Sequence, residues 1–320
     1  MPTLTASTLT CTLCHNDFNF LELRVAPEYN VMLCPSCWEQ RCFFCTECEE
    51  VAYTRNRNAT RDNRVICDSC YNRNIWKVIP SNVSIASYTN IGSKRKYGIE
   101  LETASCPDYQ ELKGKTIFGA KTDCSVSGME FISPILYGDE GLQEVFNFLE
   151  FTNGFTVDNT CGYHLHIDVR DENPVQLRHI VYAYAKTYET WKRLVASHRP
   201  FNSYCARTQY SAEEIRAYNH NIVNYFRGCS RYAWFNVNAY EKYKTFEIRL
   251  HEGTMHYKTI IYWAMAHTRF VDAVKDMRYE EIDRLLDGAA IQQFDVLKAI
   301  WNQSGQRISE FYQRRFNYHV

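Results

Sequence analysis

Four Cys-x-x-Cys pairs stand within residues 11–70: Cys11-Thr-Leu-Cys14, Cys34-Pro-Ser-Cys37, Cys45-Thr-Glu-Cys48 and Cys67-Asp-Ser-Cys70. Each pair puts two thiols on one tight knuckle, and two knuckles complete the tetrahedral shell of a Zn²⁺ ion. The stretches between knuckles, 19 and 18 residues, are nearly equal. That near-repeat predicts two sequential four-cysteine sites, Cys11/Cys14/Cys34/Cys37 and Cys45/Cys48/Cys67/Cys70. A segment this short cannot bury enough apolar area to fold alone, so the metal supplies folding free energy. With cysteine at all four positions the zinc is structural rather than catalytic. Cys42-Phe-Phe-Cys45 is a further Cys-x-x-Cys. We prefer Cys45 with Cys48, which leaves Cys42 a spare thiol.

Nine of the 14 cysteines crowd into this region, which in a cytosolic chain means metal rather than a disulfide scaffold. Met1–Thr10 has neither a basic nor an apolar segment of a secretory signal. No run approaches the roughly 20 apolar residues of a spanning helix. The expectation is a cytoplasmic protein without a membrane partner. At 320 residues and 45% hydrophobic composition, the chain can support one large domain after the small one. A formal net charge of −1 gives no global basic field, so nonspecific nucleic-acid binding is not supported.

Three later segments share an alternation that an ordinary wet strand face would not carry. Gly98-Ile-Glu-Leu-Glu102 sets Glu100 and Glu102 on one face, because successive strand side chains point to opposite sides. In Cys161-Gly-Tyr-His-Leu-His-Ile-Asp168 the polar set is His164, His166 and Asp168. In Phe246-Glu-Ile-Arg-Leu-His251 it is Glu247, Arg249 and His251. A fourth segment, Gly128-Met-Glu-Phe-Ile-Ser-Pro134, aims Glu130 away from its apolar neighbours. Together they predict one polar floor, with carboxylate and imidazole ligands for Mg²⁺ or Mn²⁺ and an arginine suited to phosphate or carboxylate.

Helices are expected over 140–152, from Asn173-Pro174 to about His198, from the capping box Ser211-Ala-Glu-Glu214 to about Arg227, over 257–277, and over much of 279–316. A hairpin is expected from Arg231–Tyr240 and Thr245–Glu252. Strands and helices without regular βαβ spacing predict an α+β fold on an antiparallel sheet. The expected domains are a zinc-knuckle module at 1–78, a linker at 79–95 and a catalytic domain at 96–320.

From about residue 96 to 277 the chain resembles the amidoligase family, a branch of the glutamine synthetase-like carboxylate–amine ligases. The matching pieces stand in the family's order: Gly98-Ile-Glu-Leu-Glu102, Lys121 and Asp123 with Ser125, Gly128–Pro134, Cys161-Gly-Tyr-His-Leu-His166, Arg231 with Asn236, and Glu247-Ile-Arg-Leu-His-Glu-Gly-Thr254. The cysteine region resembles an extension found before some members.

The resemblance implies a glutamine synthetase-like sheet and ATP-dependent amide-bond formation through an acyl-phosphate. It implies ATP with two Mg²⁺ or Mn²⁺ ions, beside the two structural Zn²⁺ ions. It also implies amino-acid, peptide or protein carboxylate and amine substrates, with a protein partner available to the zinc module. Carried over by position, Glu102 and Glu130 hold one ion; Glu100, Glu247 and one of His164 and His166, with His166 preferred, hold the other. Asn236 and His251 join the cofactor-binding set. Arg231 and Arg249 clamp phosphate oxygens, and Lys121 and Asp123 position ATP or the amine.

Three other readings compete. The same floor suits a metal-dependent hydrolase or phosphoesterase, which ATP dependence would separate from a ligase. A non-catalytic zinc-containing binding module would have lost ligands that are all present here. A thiol enzyme using Cys161 with His164 fails because positions three apart on a strand face opposite ways.

Overall fold

The computed structural model of the protein describes residues 8–19, 23–26, 31–45, 51–59, 65–67, 93–112, 115–123, 125–208, 210–302 and 307–318. The chain divides into two compact units, Met1–Ile79 with Gln313–Val320, and Pro80–Tyr312.

The first unit is a set of short antiparallel hairpins. Strands β1 (Thr8–Thr10) and β2 (Asp17–Asn19) pair, as do β3 (Arg24–Val25) and β4 (Met32–Leu33). Helix α1 (Pro35–Arg41) follows, with Pro35 in its first turn, where a missing N–H costs nothing. Then β5 (Cys42–Phe44) pairs with β6 (Val51–Tyr53), and β7 (Arg57–Ala59) with β8 (Val65–Cys67). Two apolar clusters form around cysteines rather than around a large core. One gathers Cys11, Leu33, Cys34, Cys37, Trp38 and Cys42; the other holds Cys45, Ala52 and Cys67.

In the second unit the alternating segments become one six-stranded sheet. Its strands are β9 (Tyr97–Glu102), β10 (Gly119–Lys121), β11 (Glu130–Ile132), β12 (Gly162–Asp168), β13 (Phe235–Asn236) and β14 (Thr245–Glu252). Their order is β10-β11-β9-β12-β14-β13, and every neighbouring pair is antiparallel. The α+β class and the antiparallel sheet expected from the sequence are therefore present.

The helices of this unit are α2 (Gly138–Glu150), α3 (Pro174–Trp191), α4 (Ala212–Ala217), α5 (Ile222–Phe226), α6 (Ala239–Tyr243), α7 (Tyr257–Val274), α8 (Tyr279–Leu286), α9 (Ala290–Asn302) and α10 (Arg307–Tyr318). The last of these runs on past Tyr312. Leu165, Ile167, Phe246 and Ile248 on the apolar face of the sheet are wholly buried, together with Trp191 and Trp263 from α3 and α7. Each such side chain stabilises by roughly 1.5–3 kcal/mol. The hydroxyl of Tyr163 donates to the Ile260 carbonyl at 3.0 Å, which ties β12 to α7.

Local chemistry explains where the elements depart from expectation. Asn173 caps α3 as a capping box, but the helix stops at Trp191 and tightens into a 3₁₀ turn, Lys192–Leu194, short of His198. Ser211 and Glu214 form the expected capping box, yet α4 ends at Ala217 and Asn221 starts α5 by accepting from Val223 N. Asn side chains compete with helical backbone bonds in this way. The expected hairpin before β14 is reduced to the two residues of β13, because α6 intervenes and Lys244 turns the chain at φ 60°. Arg231 thus lies outside the sheet. β10 is an exposed edge strand that no alternation in the sequence marks.

Of the linker expected at 79–95, only Ser93–Arg95 lie within the described residues. Arg95 is bound there to Asp272 at 2.6 Å and Glu172 at 2.7 Å, and donates to the Asp168 carbonyl at 2.6 Å. This half-buried cluster joins the approach to β9 to the ends of β12, α3 and α7.

Candidate active site

Register places the charged side chains in adjoining rows. Glu130 of β11 stands opposite Glu102 of β9, and Glu100 stands opposite His164 of β12. His166 stands opposite Glu247 of β14, which stands opposite Asn236 of β13. Directly opposed partners share a face, so the floor crosses the sheet. All of these but Glu100 are buried, and that residue is half-buried.

Two groups of metal-ligating atoms result. Glu100, His166 and Glu247 each offer an atom within 4.8 Å of the others, and so do Glu102, Asp123 and Glu130. His164 lies between the groups: Nδ1 is 3.3 Å from Glu100 Oε2 and 3.7 Å from Glu247 Oε1, while Nε2 is 3.6 Å from Glu102 Oε1. Glu102 also accepts the Gly162 N–H at 2.5 Å. That approach requires glycine, since a Cβ at 162 would stand 2.8 Å from Arg199 Nη2 and 2.9 Å from His164 Nε2.

The donor set fits a divalent cation. Nδ1 of His166 lies 2.9 Å from Thr245 Oγ1, and the tautomer that donates there leaves Nε2 as an acceptor. That Nε2 is buried, has no hydrogen-bond partner among the described residues, and lies 3.3 Å from Glu100 Oε1 and 4.0 Å from Glu247 Oε1. A neutral imidazole nitrogen beside two carboxylates is a hard-cation ligand set.

The charges strain against one another. Burial and the neighbouring Glu100 push the Glu130 carboxyl up to about 8, with Lys121 at 3.0 Å pulling the other way. Burial would also raise Glu100, but His164 and His166 outweigh it and hold that carboxyl far below its usual range. Glu247 is likewise held low, against burial, by Arg249 and the two histidines. Asp123 is held low by the hydroxyl and N–H of Ser125.

The other site residues expected from sequence fall at the margins. Arg249 donates to Glu247 Oε1 at 2.5 Å and to the Tyr204 carbonyl at 3.0 Å. Asn236 donates to the other oxygen of Glu247 at 2.7 Å, so it stands behind that carboxylate. Arg231 is exposed and donates to the Tyr232 hydroxyl at 2.9 Å. Both guanidinium carbons lie over the Tyr232 ring, at 4.9 Å for Arg231 and 5.7 Å for Arg249. Tyr232 itself carries no sequence pattern that marks it. Lys121 is exposed beside Glu130, and Asp123 joins the Glu102 group rather than standing apart with Lys121.

His251 is a correction. It is fully buried on the apolar face, edge-on to Trp263 at 4.8 Å, and lies outside the floor. The cause is a β-bulge: Tyr163 pairs with His251 but Leu165 pairs with Ile248, so β14 carries one extra residue and the alternation inverts. Cys161 is buried and its thiol is pushed up to about 12, chiefly by burial, which removes it as a nucleophile.

In the first unit the sulfurs of Cys11, Cys14, Cys34 and Cys37 lie within 4.8 Å of one another. Burial would raise the Cys11 thiol, yet amide N–H groups of Cys14, Cys34 and Leu13 bring it down to about 6. The Cys34 amide donates to Cys11 Sγ at 3.3 Å, and the Cys67 amide donates to Cys45 Sγ at the same distance. Cys48 and Cys70 lie outside the described residues. Cys42 packs with the first cysteine cluster, not with Cys45 and Cys67.

A family model described as "Putative amidoligase enzyme" matches residues 89–271, more than half of the chain. The chain belongs to the amidoligase family. The match spans β9 through most of α7, and so contains every floor residue named above. Membership supports an amide-ligase function in general. A crystal structure described as that of a "novel glutamine synthase homolog" is similar at 14% identity and a TM-score of 0.32, over 73% of this chain and 68% of that one. No curated protein matches this amidoligase-family chain. Among its described residues no helix is long and apolar enough to cross a membrane.

Proposed function

We propose that the protein is an ATP- and divalent-metal-dependent carboxylate–amine ligase that forms an amide or isopeptide-like bond through an acyl-phosphate. The observation that carries this reading is the pair of ligand groups, Glu100/His166/Glu247 and Glu102/Asp123/Glu130, on one sheet face with Arg249 and Arg231 beside them. Two Mg²⁺ or Mn²⁺ ions, when bound there, neutralise the triphosphate and hold it for in-line transfer.

In the reaction, a substrate carboxylate oxygen attacks the γ-phosphorus and ADP leaves. The amine nitrogen then attacks the acyl carbon, and phosphate leaves with one former carboxylate oxygen. Arg249, fixed by Glu247 and the Tyr204 carbonyl, stabilises charge on the transferring group without reorganising. Arg231 adds a second guanidinium at the rim, a geometry suited to phosphate oxygens. Asn236 keeps Glu247 turned to the floor. Lys121 and Asp123 position the nucleotide or the amine. The substrates are amino-acid, peptide or protein carboxylates and amines. Two structural Zn²⁺ ions, at Cys11/Cys14/Cys34/Cys37 and Cys45/Cys48/Cys67/Cys70, order a module that binds a macromolecular substrate or protein partner.

The test is isotope transfer from a carboxylate labelled with heavy oxygen, in pools of amino acids, amines and peptides. A ligase of this kind delivers label to the released phosphate in step with ADP. Phosphate released without that label, its new oxygen taken from water, would make the protein a hydrolase.

A further inference from the structure

Arg199 is 1% exposed and no sequence pattern marks it. Among the described residues it makes no ion pair, and its Nε has no hydrogen-bond partner. A buried guanidinium left in this state is costly, and its retention calls for an explanation. Its remaining donors go to two backbone carbonyls: Nη2 to Arg249 at 2.8 Å and Nη1 to Cys161 at 3.4 Å. Cys161 lies just before β12, and Arg249 sits in the bulge of β14. Arg199 therefore spans the place where the ladder between those strands is irregular.

The surrounding turn holds Arg249 at its other end. Arg199 begins a 3₁₀ turn, Arg199–Phe201, and the next turn, Ser203–Cys205, supplies the Tyr204 carbonyl that receives Arg249 Nε at 3.0 Å. The Arg249 N–H is taken by the Trp234 carbonyl at 2.8 Å. The backbone and guanidinium of Arg249 are thus both fixed, and the remaining arm reaches Glu247. Arg199 Nη2 also lies beside Gly162, at the spot on which His164 Nε2 and Glu102 Oε2 converge.

We propose that Arg199 is a positioning residue of this site, which acts through Arg249 by fixing the β14 bulge so that the Arg249 guanidinium meets Glu247. The inference rests on reading the floor as the cation site. A bulge left to itself is a weak point in a ladder. Arg199 supplies it with two donors from a side chain that is itself clamped by burial.

The experiment is a double-mutant cycle on Arg199→Met and Arg249→Met in the full chain. It is read by Mn²⁺ affinity from electron paramagnetic resonance and by hydrogen exchange of a peptide covering residues 245–252. Arg199→Met should weaken Mn²⁺ binding roughly tenfold, as loss of an outer partner does, and speed exchange at 248–251. In the Arg249→Met background the same change should cost less than about twofold in Mn²⁺ affinity, the mark of two residues acting as one unit. Arg199→Lys keeps the charge and should restore most of the affinity; Arg199→Gln, which loses the charge and the reach of the guanidinium, carries the cycle if the Met variant does not fold. Additive losses, or a Lys variant no better than Met, would overturn the proposal. Exchange needs no ligand, so it separates the two readings. A wild-type protein that binds no Mn²⁺ overturns the cation site, whereas unchanged exchange in the Arg199 variants overturns the positioning role.

Discussion

Glu102 and Glu130 face each other directly across the β9–β11 ladder. Like charges in that position destabilise a sheet, and both side chains are buried. The clash is relieved because burial keeps the Glu130 carboxyl protonated up to about 8 and Lys121 stands 3.0 Å from it. The grouping of both carboxyls with Asp123 supports the proposed divalent cation as a further partner.

The first prediction follows from Glu130, whose carboxyl is pushed up to about 8 from an ordinary 4.5. Between those values the folded chain holds a proton that the unfolded chain has lost, so stability falls as pH rises through that window. The raised value of His166 works in the same direction. The lowered values of Glu100 and Glu247 act below pH 4.5 and leave the window untouched. With zinc bound, so that the lowered Cys11 thiol does not titrate, and with neither added Mg²⁺ nor a chelator, the protein should melt several degrees lower at pH 8.5 than at pH 6. Glu130→Gln or saturating Mg²⁺ should remove most of that difference, and thermal melts check it.

Thr245 is the partner that orients His166. Thr245→Val leaves the ring packed but without its acceptor, so Mn²⁺ affinity should fall about 10- to 100-fold with little change in melting temperature. Paramagnetic resonance titration reads the affinity. An unchanged value would remove His166 from the ligand set.

Metal analysis of the cysteine variants tests the zinc assignment. Wild type should carry two Zn²⁺ ions per chain. Cys11→Ser and Cys45→Ser should each lose one, while Cys42→Ala should keep both, because Cys42 packs in the cluster away from Cys45 and Cys67. Loss of zinc in Cys42→Ala would exchange the roles of Cys42 and Cys48.

Much of the floor was legible because strand alternation has a period of two and the residues that break its usual chemistry are rare. Glu100, Glu102, Glu130, His164, His166 and Glu247 follow from that rule alone. His251 did not, since a bulge adds a residue without leaving a sequence mark, and every later side chain then changes face. Pro174 at a first helical position and the capping box at Ser211 announced helix starts correctly. The ends were hidden because a 3₁₀ tightening after Trp191 and the polar break around Asn221 are decided locally. Arg199 and Tyr232 escaped notice for another reason. Their roles come from residues distant in the chain, and neither lies in a repeating pattern.

The most direct test compares wild type with Glu247→Ala in ADP and phosphate release from ATP, with Mg²⁺ or Mn²⁺, against pooled amino acids, amines and peptides. Glu247 ties together His166, Glu100, Arg249 and Asn236, so its loss should reduce turnover by roughly a hundredfold or more while zinc content stays at two. Wild-type release that requires a substrate pool and vanishes in Glu247→Ala is the predicted result. Equal release by both proteins, or no ATP turnover by wild type with any pool, would contradict the ligase account.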